Sequence, residues 1–188
     1  MLDPIKALGL LPIGLTALFY NFGFFTLLAF SPFVLGLDAH GIGYVFFFWG
    51  VFLAISSVII APKLQGRFGT KKIMYMVLLL FTLLLIIMGL SVEYVPILII
   101  CIVLSGGLLG VNNTMITTAV MEVSPVERSV ASSAYSFVRF VGGAIAPWLA
   151  GKLSEWFNPH VPFYFGGIAV LIGLFVLYSG RTYMIDLK

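Results

Sequence analysis

Five tracts of this 188-residue chain, Ala7–Leu37, Ala39–Pro62, Ile73–Val92, Tyr94–Met121 and Trp156–Gly180, contain no Asp, Glu, Lys or Arg, and a sixth, Ser129–Gly151, is interrupted by Arg139 alone. Each reaches or exceeds the ~20 residues that a helix needs to cross about 30 Å of hydrocarbon. A backbone in lipid must satisfy its own hydrogen bonds, so uniformly apolar segments of this length fold as helices. Strands of a membrane barrel would alternate apolar and polar residues over ~10 positions, and these tracts do not. The first tract is too long for a secretory signal and has no small-residue cleavage site after it. The pattern predicts an all-α membrane protein, a single domain over 1–188 built as a six-transmembrane-helix bundle, with helices near 8–35, 43–62, 73–91, 95–121, 125–151 and 163–181.

Composition agrees. Hydrophobic residues make up 61% of the chain and charged residues 9%, where a soluble domain carries roughly 25% charged residues. With a mean hydropathy of +1.15, the chain is neither a water-soluble globule nor a disordered segment, and its formal charge of +3 does not make it a nucleic-acid binder. The single cysteine, Cys101, leaves no disulfide framework and no cysteine-based metal site. No metal and no cofactor is expected.

Basic residues set the expected orientation. Lys63, Arg67, Lys71 and Lys72 fall between the second and third segments, and Arg128 lies between the fourth and fifth, on the same side. The opposite side has only Lys152, beside Asp38, Glu93 and Glu155. The positive-inside bias places both termini and the basic loops in the cytoplasm. Ser124-Pro125-Val126-Glu127 has the form of a capping box and is expected to start the fifth helix, as Pro96 starts the fourth.

The segments differ in kind. The third, Met74–Met88, is almost wholly aliphatic and is expected to face lipid on most sides. The fourth carries Ser105, Gly106, Gly107, Gly110, Asn112, Asn113, Thr114, Thr117 and Thr118. The fifth carries Ser132, Ser133, Ser136, Gly142, Gly143 and Gly151. Small residues allow close helix approach, and polar ones need partners inside the bundle or in a wet cavity. For individual glycines and serines, tight packing alone is a sufficient reading; two adjacent asparagines in mid-helix ask for more.

Arg139 is the sharpest single feature, because an intramembrane cation costs at least ~2.5–3.5 kcal/mol on insertion scales. It lies roughly 16 Å beyond Arg128 along a helix, and Asn112 lies about 15 Å before Glu122. Their similar depths on consecutive antiparallel helices suggest a polar site near the midplane bordered by Asn112 or Asn113 and Arg139. The competing reading is a structural arginine that is satisfied by carbonyls or snorkels to the interface. Aromatic residues crowd the first two segments around Tyr20 and Asn21, a surface that suits flat lipophilic compounds. Cavity candidates are therefore Tyr20, Asn21, Asn112, Asn113, Tyr135 and Arg139. No carboxylate lies inside a segment, and no HExxH, GxSxG or phosphate-cradling loop occurs, so no catalytic residue is assigned and an enzyme is a poor fit. His40 and His160 read as solvated loop histidines near the outer face.

The loop Pro62-Lys63-Leu64-Gln65-Gly66-Arg67-Phe68-Gly69-Thr70-Lys71-Lys72 resembles the major facilitator superfamily signature G-x-L-x-D-R-x-G-R-[RK], through Leu64, Arg67, Gly69 and Lys71. Gly66 stands where that signature has its acidic residue, and Pro62 where it has its first glycine. Gly142-Gly143-Ala144-Ile145-Ala146-Pro147-Trp148-Leu149-Ala150-Gly151 resembles the antiporter signature G-x-x-x-G-P-x-x-G-G, through Gly142, Pro147 and Gly151; the adjoining Gly143 belongs to the same packing and bending set. The stretch Val120–Gly151 is similar to bacterial drug:proton antiporters of that superfamily. The resemblance implies the C-terminal six-helix half of a twelve-helix transporter, since the Arg and acidic signature residue usual in a first half are missing. It also implies a multi-pass protein of the bacterial cytoplasmic membrane, with lipophilic small molecules and protons as cargo. The mechanism implied is alternating access against a second six-helix bundle. First, second, fourth and fifth helices would line the cavity, and Arg67, Gly69 and Lys71 would latch the cytoplasmic side; topology determination alone is the competing reading for those basic residues. A half-size transporter acting as a homodimer and a non-transporting truncated scaffold are the alternatives.

Overall fold

A computed structural model describes residues 4–124 and 128–183. They form six long helices and no strand: α1 (Pro4–Leu35), α2 (Ala39–Phe68), α3 (Thr70–Leu90), α4 (Val95–Val123), α5 (Arg128–Trp156) and α6 (Val161–Ser179), the last ending in a 3₁₀ turn over Gly180–Tyr183. The expected capping box at Ser124–Glu127 falls largely outside the described residues. Five of the helices are long and apolar enough to cross a membrane. The exception is α5, which has the length but owes its lower apolarity to its serines and Arg139.

The helix limits have local causes. Gly36, at φ +61°, takes the left-handed conformation that ends α1. Asp38 caps α2, its Oδ1 accepting from the Gly41 N–H at 3.0 Å. That cap starts α2 at Ala39, four residues ahead of the expected start at 43. At its other end α2 runs on to Phe68, so most of the expected loop after 62 is helix. Gly69, at φ +80°, makes the break, and α3 begins at once with Thr70.

Inside α2, residues Ser56–Ile60 form a π turn, with the Ala61 N–H bonded to the Ser56 carbonyl five residues back. In that spacing the next donor, for the Ser57 carbonyl, would be residue 62, and Pro62 has no N–H. The Thr114 hydroxyl of α4 reaches that carbonyl at 3.4 Å and shares its proton with the Gly110 carbonyl at 3.1 Å. A side chain of a neighbouring helix thus serves a backbone group that proline leaves without a partner.

In the packing, α1 lies against α5, α6 and α4; α3 lies against α6 and α4; and α2 touches α4 almost alone. Glycines set the close seams. A Cβ at Gly106 would stand 2.3 Å from the Trp49 carbonyl oxygen, and one at Gly110 would stand 2.4 Å from that of Leu53, so α2 rests on the bare backbone of α4. Gly142 does the same for α5 on α1, where a Cβ would meet the Leu18 carbonyl oxygen at 2.3 Å. The third helix departs from its expected lipid-facing role. One whole face of α3, including Ile73, Val77, Phe81, Leu85 and Met88, is buried, because α4 and α6 both pack on it. Composition could not show this, since buried and lipid-facing residues are equally apolar. The most open helix is α2, with 17% of its apolar window buried against 56% in α1, α3 and α4.

Candidate functional site

Polar groups converge where α1 passes between α4 and α5. Tyr20 is buried, packs edge-on against Phe81 at 5.9 Å, and donates its hydroxyl to the Leu109 carbonyl of α4 at 3.3 Å. The next residue, Asn21, points about 100° further round the helix. Its Nδ2 donates to the Arg139 carbonyl of α5 at 3.3 Å. Neighbouring residues of α1 therefore tie it to two different helices at one level. The electrostatic neighbours of the Tyr20 hydroxyl are Arg139, Tyr135 and Asn112.

Asn112 is fully buried on α4 beside that hydroxyl but without hydrogen-bond geometry to it, and neither amide atom has a protein partner. Asn113, one step round the helix, is half-buried, with its Oδ1 also unpartnered. On α5, the Arg139 guanidinium lies 6.0 Å from the Tyr135 ring centroid and 5.6 Å from that of Phe140, within the range of cation–π attraction. Its Nε is buried and unpartnered, and among the described residues no carboxylate pairs with it. The six cavity candidates thus lie on three adjoining helices. Asn112 and Arg139 are brought together through α1 rather than by direct contact: α4 and α5 barely touch, and Tyr20 and Asn21 of α1 link the two helices.

Toward the end of the bundle where α1 begins, α4 ends and α5 begins, Tyr135 also lines a cavity of about 290 Å³, together with Leu10, Gly14, Val120, Ala134 and Val138. The walls are apolar, and Tyr135 joins this space to the polar cluster. Arg139 itself does not line it.

The signature-like segment occupies the same end. Leu64 is half-buried, and Arg67 is exposed with its guanidinium 5.2 Å from the Phe68 ring centroid. Lys71 donates to the Arg181 carbonyl at 2.9 Å, joining the start of α3 to the carbonyl-rich end of α6. A cation there is favoured by the helix dipole. Gly69 supplies the turn. Of the other glycine motif, Gly142 and Gly143 press on Leu18 and Phe25 of α1, whereas Gly151 has open space around it. With Pro147, Gly151 borders a surface cavity beside Phe30 and Phe33.

Several contacts had only faint sequence signals. Trp49 donates its indole N–H to Ser105 Oγ at 3.2 Å, fastening α2 to α4. His160 departs from the solvated role expected of it. It is half-buried, and its Nδ1 lies 2.7 Å from the Gly89 carbonyl at the end of α3. The carbonyl can only accept, so Nδ1 carries the proton. His40 is solvated, 3.8 Å from Asp38.

Comparison with known proteins bears on what such a bundle is for. The sequence model of the Major Facilitator Superfamily matches residues 13–183. The multidrug efflux protein YfmO of Bacillus subtilis (strain 168) is 52% identical over 99% of this chain, which spans 48% of that protein's length. Crystal structures of the peptide transporter POT superpose on the fold. A mutant form in complex with sulfate gives a TM-score of 0.73 at 21% identity, covering 93% of this chain and 38% of that one. The unmutated transporter in complex with sulfate gives 0.71 at 22% identity, with the same coverage.

Proposed function

The chain belongs to the major facilitator superfamily, and on that premise we propose that it is the C-terminal half of a proton-coupled exporter of lipophilic small molecules. The observation that carries the reading is the 52% identity with a multidrug efflux protein, over 99% of this chain yet spanning 48% of that relative. A six-helix unit at that share of its relative is incomplete as a transporter, and a second six-helix bundle is the required partner.

Two helices support this. The outward surface of α2 presents Tyr44, Phe47, Phe48, Val51 and Ile55, and α4 is the main helix packed on its other side. The outward surface of α5 presents Phe137, Phe140 and Trp148 among exposed serines. These are the faces left for a partner bundle, with the Tyr20, Asn112, Tyr135 and Arg139 region between them as the cargo path. In this reading the positive ends of the bundle lie in the cytoplasm of a bacterial cell. Lys71 holds that side together, and the carboxylate that carries protons resides in the other half, because Glu122 and Glu155 stand at helix ends and no carboxylate lies in the interior of a described span.

The test is co-expression with a candidate first half, followed by proton-driven dye efflux in inverted membrane vesicles. Efflux that needs both halves is expected. Efflux by this chain alone would favour the homodimer, and none in either case would leave the non-transporting scaffold.

A further inference from the structure

Four buried side-chain atoms around the α1 seam have no hydrogen-bond partner among the described residues: Asn21 Oδ1, Asn112 Oδ1, Asn112 Nδ2 and Arg139 Nε. They are not scattered. Tyr20 lies beside Asn112 and within electrostatic reach of Arg139, and Asn21 is bonded to the Arg139 backbone. A buried amide or guanidinium N–H left without a partner is expensive, so something must serve these atoms.

The mixture of groups selects what that is. Two are acceptors and two are donors. An anion would satisfy the donors but face two amide oxygens; a metal ion would satisfy the oxygens but face the guanidinium. Water donates and accepts at once. Buried waters typically make about three hydrogen bonds to groups of this kind.

We propose that Tyr20, Asn21, Asn112 and Arg139 enclose a site for bound water within the membrane-spanning part of the bundle. The water hydrates the Arg139 guanidinium where no carboxylate pairs with it, and it completes the hydrogen bonding of Asn112. The site stands on the geometry of this chain alone and holds whether or not the bundle exports drugs.

Bound water reveals itself by radiolytic labelling, because hydroxyl radicals formed in place oxidise the side chains they touch. The full chain in lipid nanodiscs is irradiated, and oxidation of Tyr20 is read by mass spectrometry against Phe163, which is equally buried and packs on Phe30. Several-fold faster labelling of Tyr20 is the expected result. A Tyr20 rate no higher than that of Phe163 overturns the proposal, and this comparison needs no variant. In Asn112→Leu the Tyr20 rate should fall to the phenylalanine level, and in Asn112→Ser it should persist. Undiminished labelling in a folded Asn112→Leu protein overturns the part assigned to Asn112.

Discussion

Arg139 and Gly69 show what a single position can and cannot announce. Arg139 stood out in the sequence because it is the one charge in an otherwise neutral span, and the structure sets it between two aromatic rings with one nitrogen unpartnered. Its surroundings were not legible, because they come from Tyr20 and Asn21 more than a hundred residues earlier. Replacing Arg139 by Leu removes the insertion cost of about 2.5–3.5 kcal/mol. On the function proposed for the chain, the variant should therefore insert and express at least as well as the parent, while efflux by the two-bundle assembly drops by about tenfold or more, equivalent to roughly 1.4 kcal/mol of lost barrier lowering. Vesicle transport normalised to protein level checks both halves of that statement. Gly69 was legible as part of a signature, but its physical role is conformational. At φ +80° a side chain is strained, and Gly69→Ala should cost about 1–2 kcal/mol. Thermal unfolding in detergent measures it, and Gly66→Ala, where a Cβ meets nothing within 4 Å, is the control.

At the scale of helices, the apolar tracts gave the number and rough limits of the elements, while their ends and their neighbours came from elsewhere. Asp38 capped α2 four residues early, and only Gly69 interrupted the run into α3. Hydrophobicity could not rank the burial of α3 and α2, because lipid and protein interior select the same side chains. Glycine spacing was the better guide: Gly106 and Gly110 mark the α2–α4 seam to the residue. Gly106→Leu would drive a side chain into the Trp49 carbonyl and should destabilise by about 1–3 kcal/mol or more, lowering the midpoint of thermal unfolding and the yield of folded protein. The π turn gives a subtler case. Thr114→Val withdraws the hydroxyl from the Ser57 carbonyl, and the cost should be near the ~0.6 kcal/mol average for polar contacts between membrane helices. Hydrogen exchange localised to α2, rather than global unfolding, is the measurement with enough resolution to find it.

For the molecule as a whole, six helices and membership of a transporter superfamily were both readable before any coordinates, because segment length and two short motifs carry that information. The site was readable as a set of residues but not as a geometry. Helical rise predicts similar depths for Asn112 and Arg139, but it could not show that α1 links the helices that carry them. The contacts of α2 have a further consequence for how the protein is made. Its anchors, Trp49 to Ser105 and Ser57 to Thr114, span 56 and 57 residues of sequence, and α4 is nearly its sole neighbour. Until α4 has been made and inserted, α2 stands in the membrane without its main partner, with Phe24 of α1 stacked on one face of Trp49. A nascent chain arrested at that stage should leave Trp49 open to a lipid-borne photo-crosslinker, and extending the chain past Thr114 should shield it. Biogenesis of this bundle is thus timed by the arrival of one glycine-striped helix.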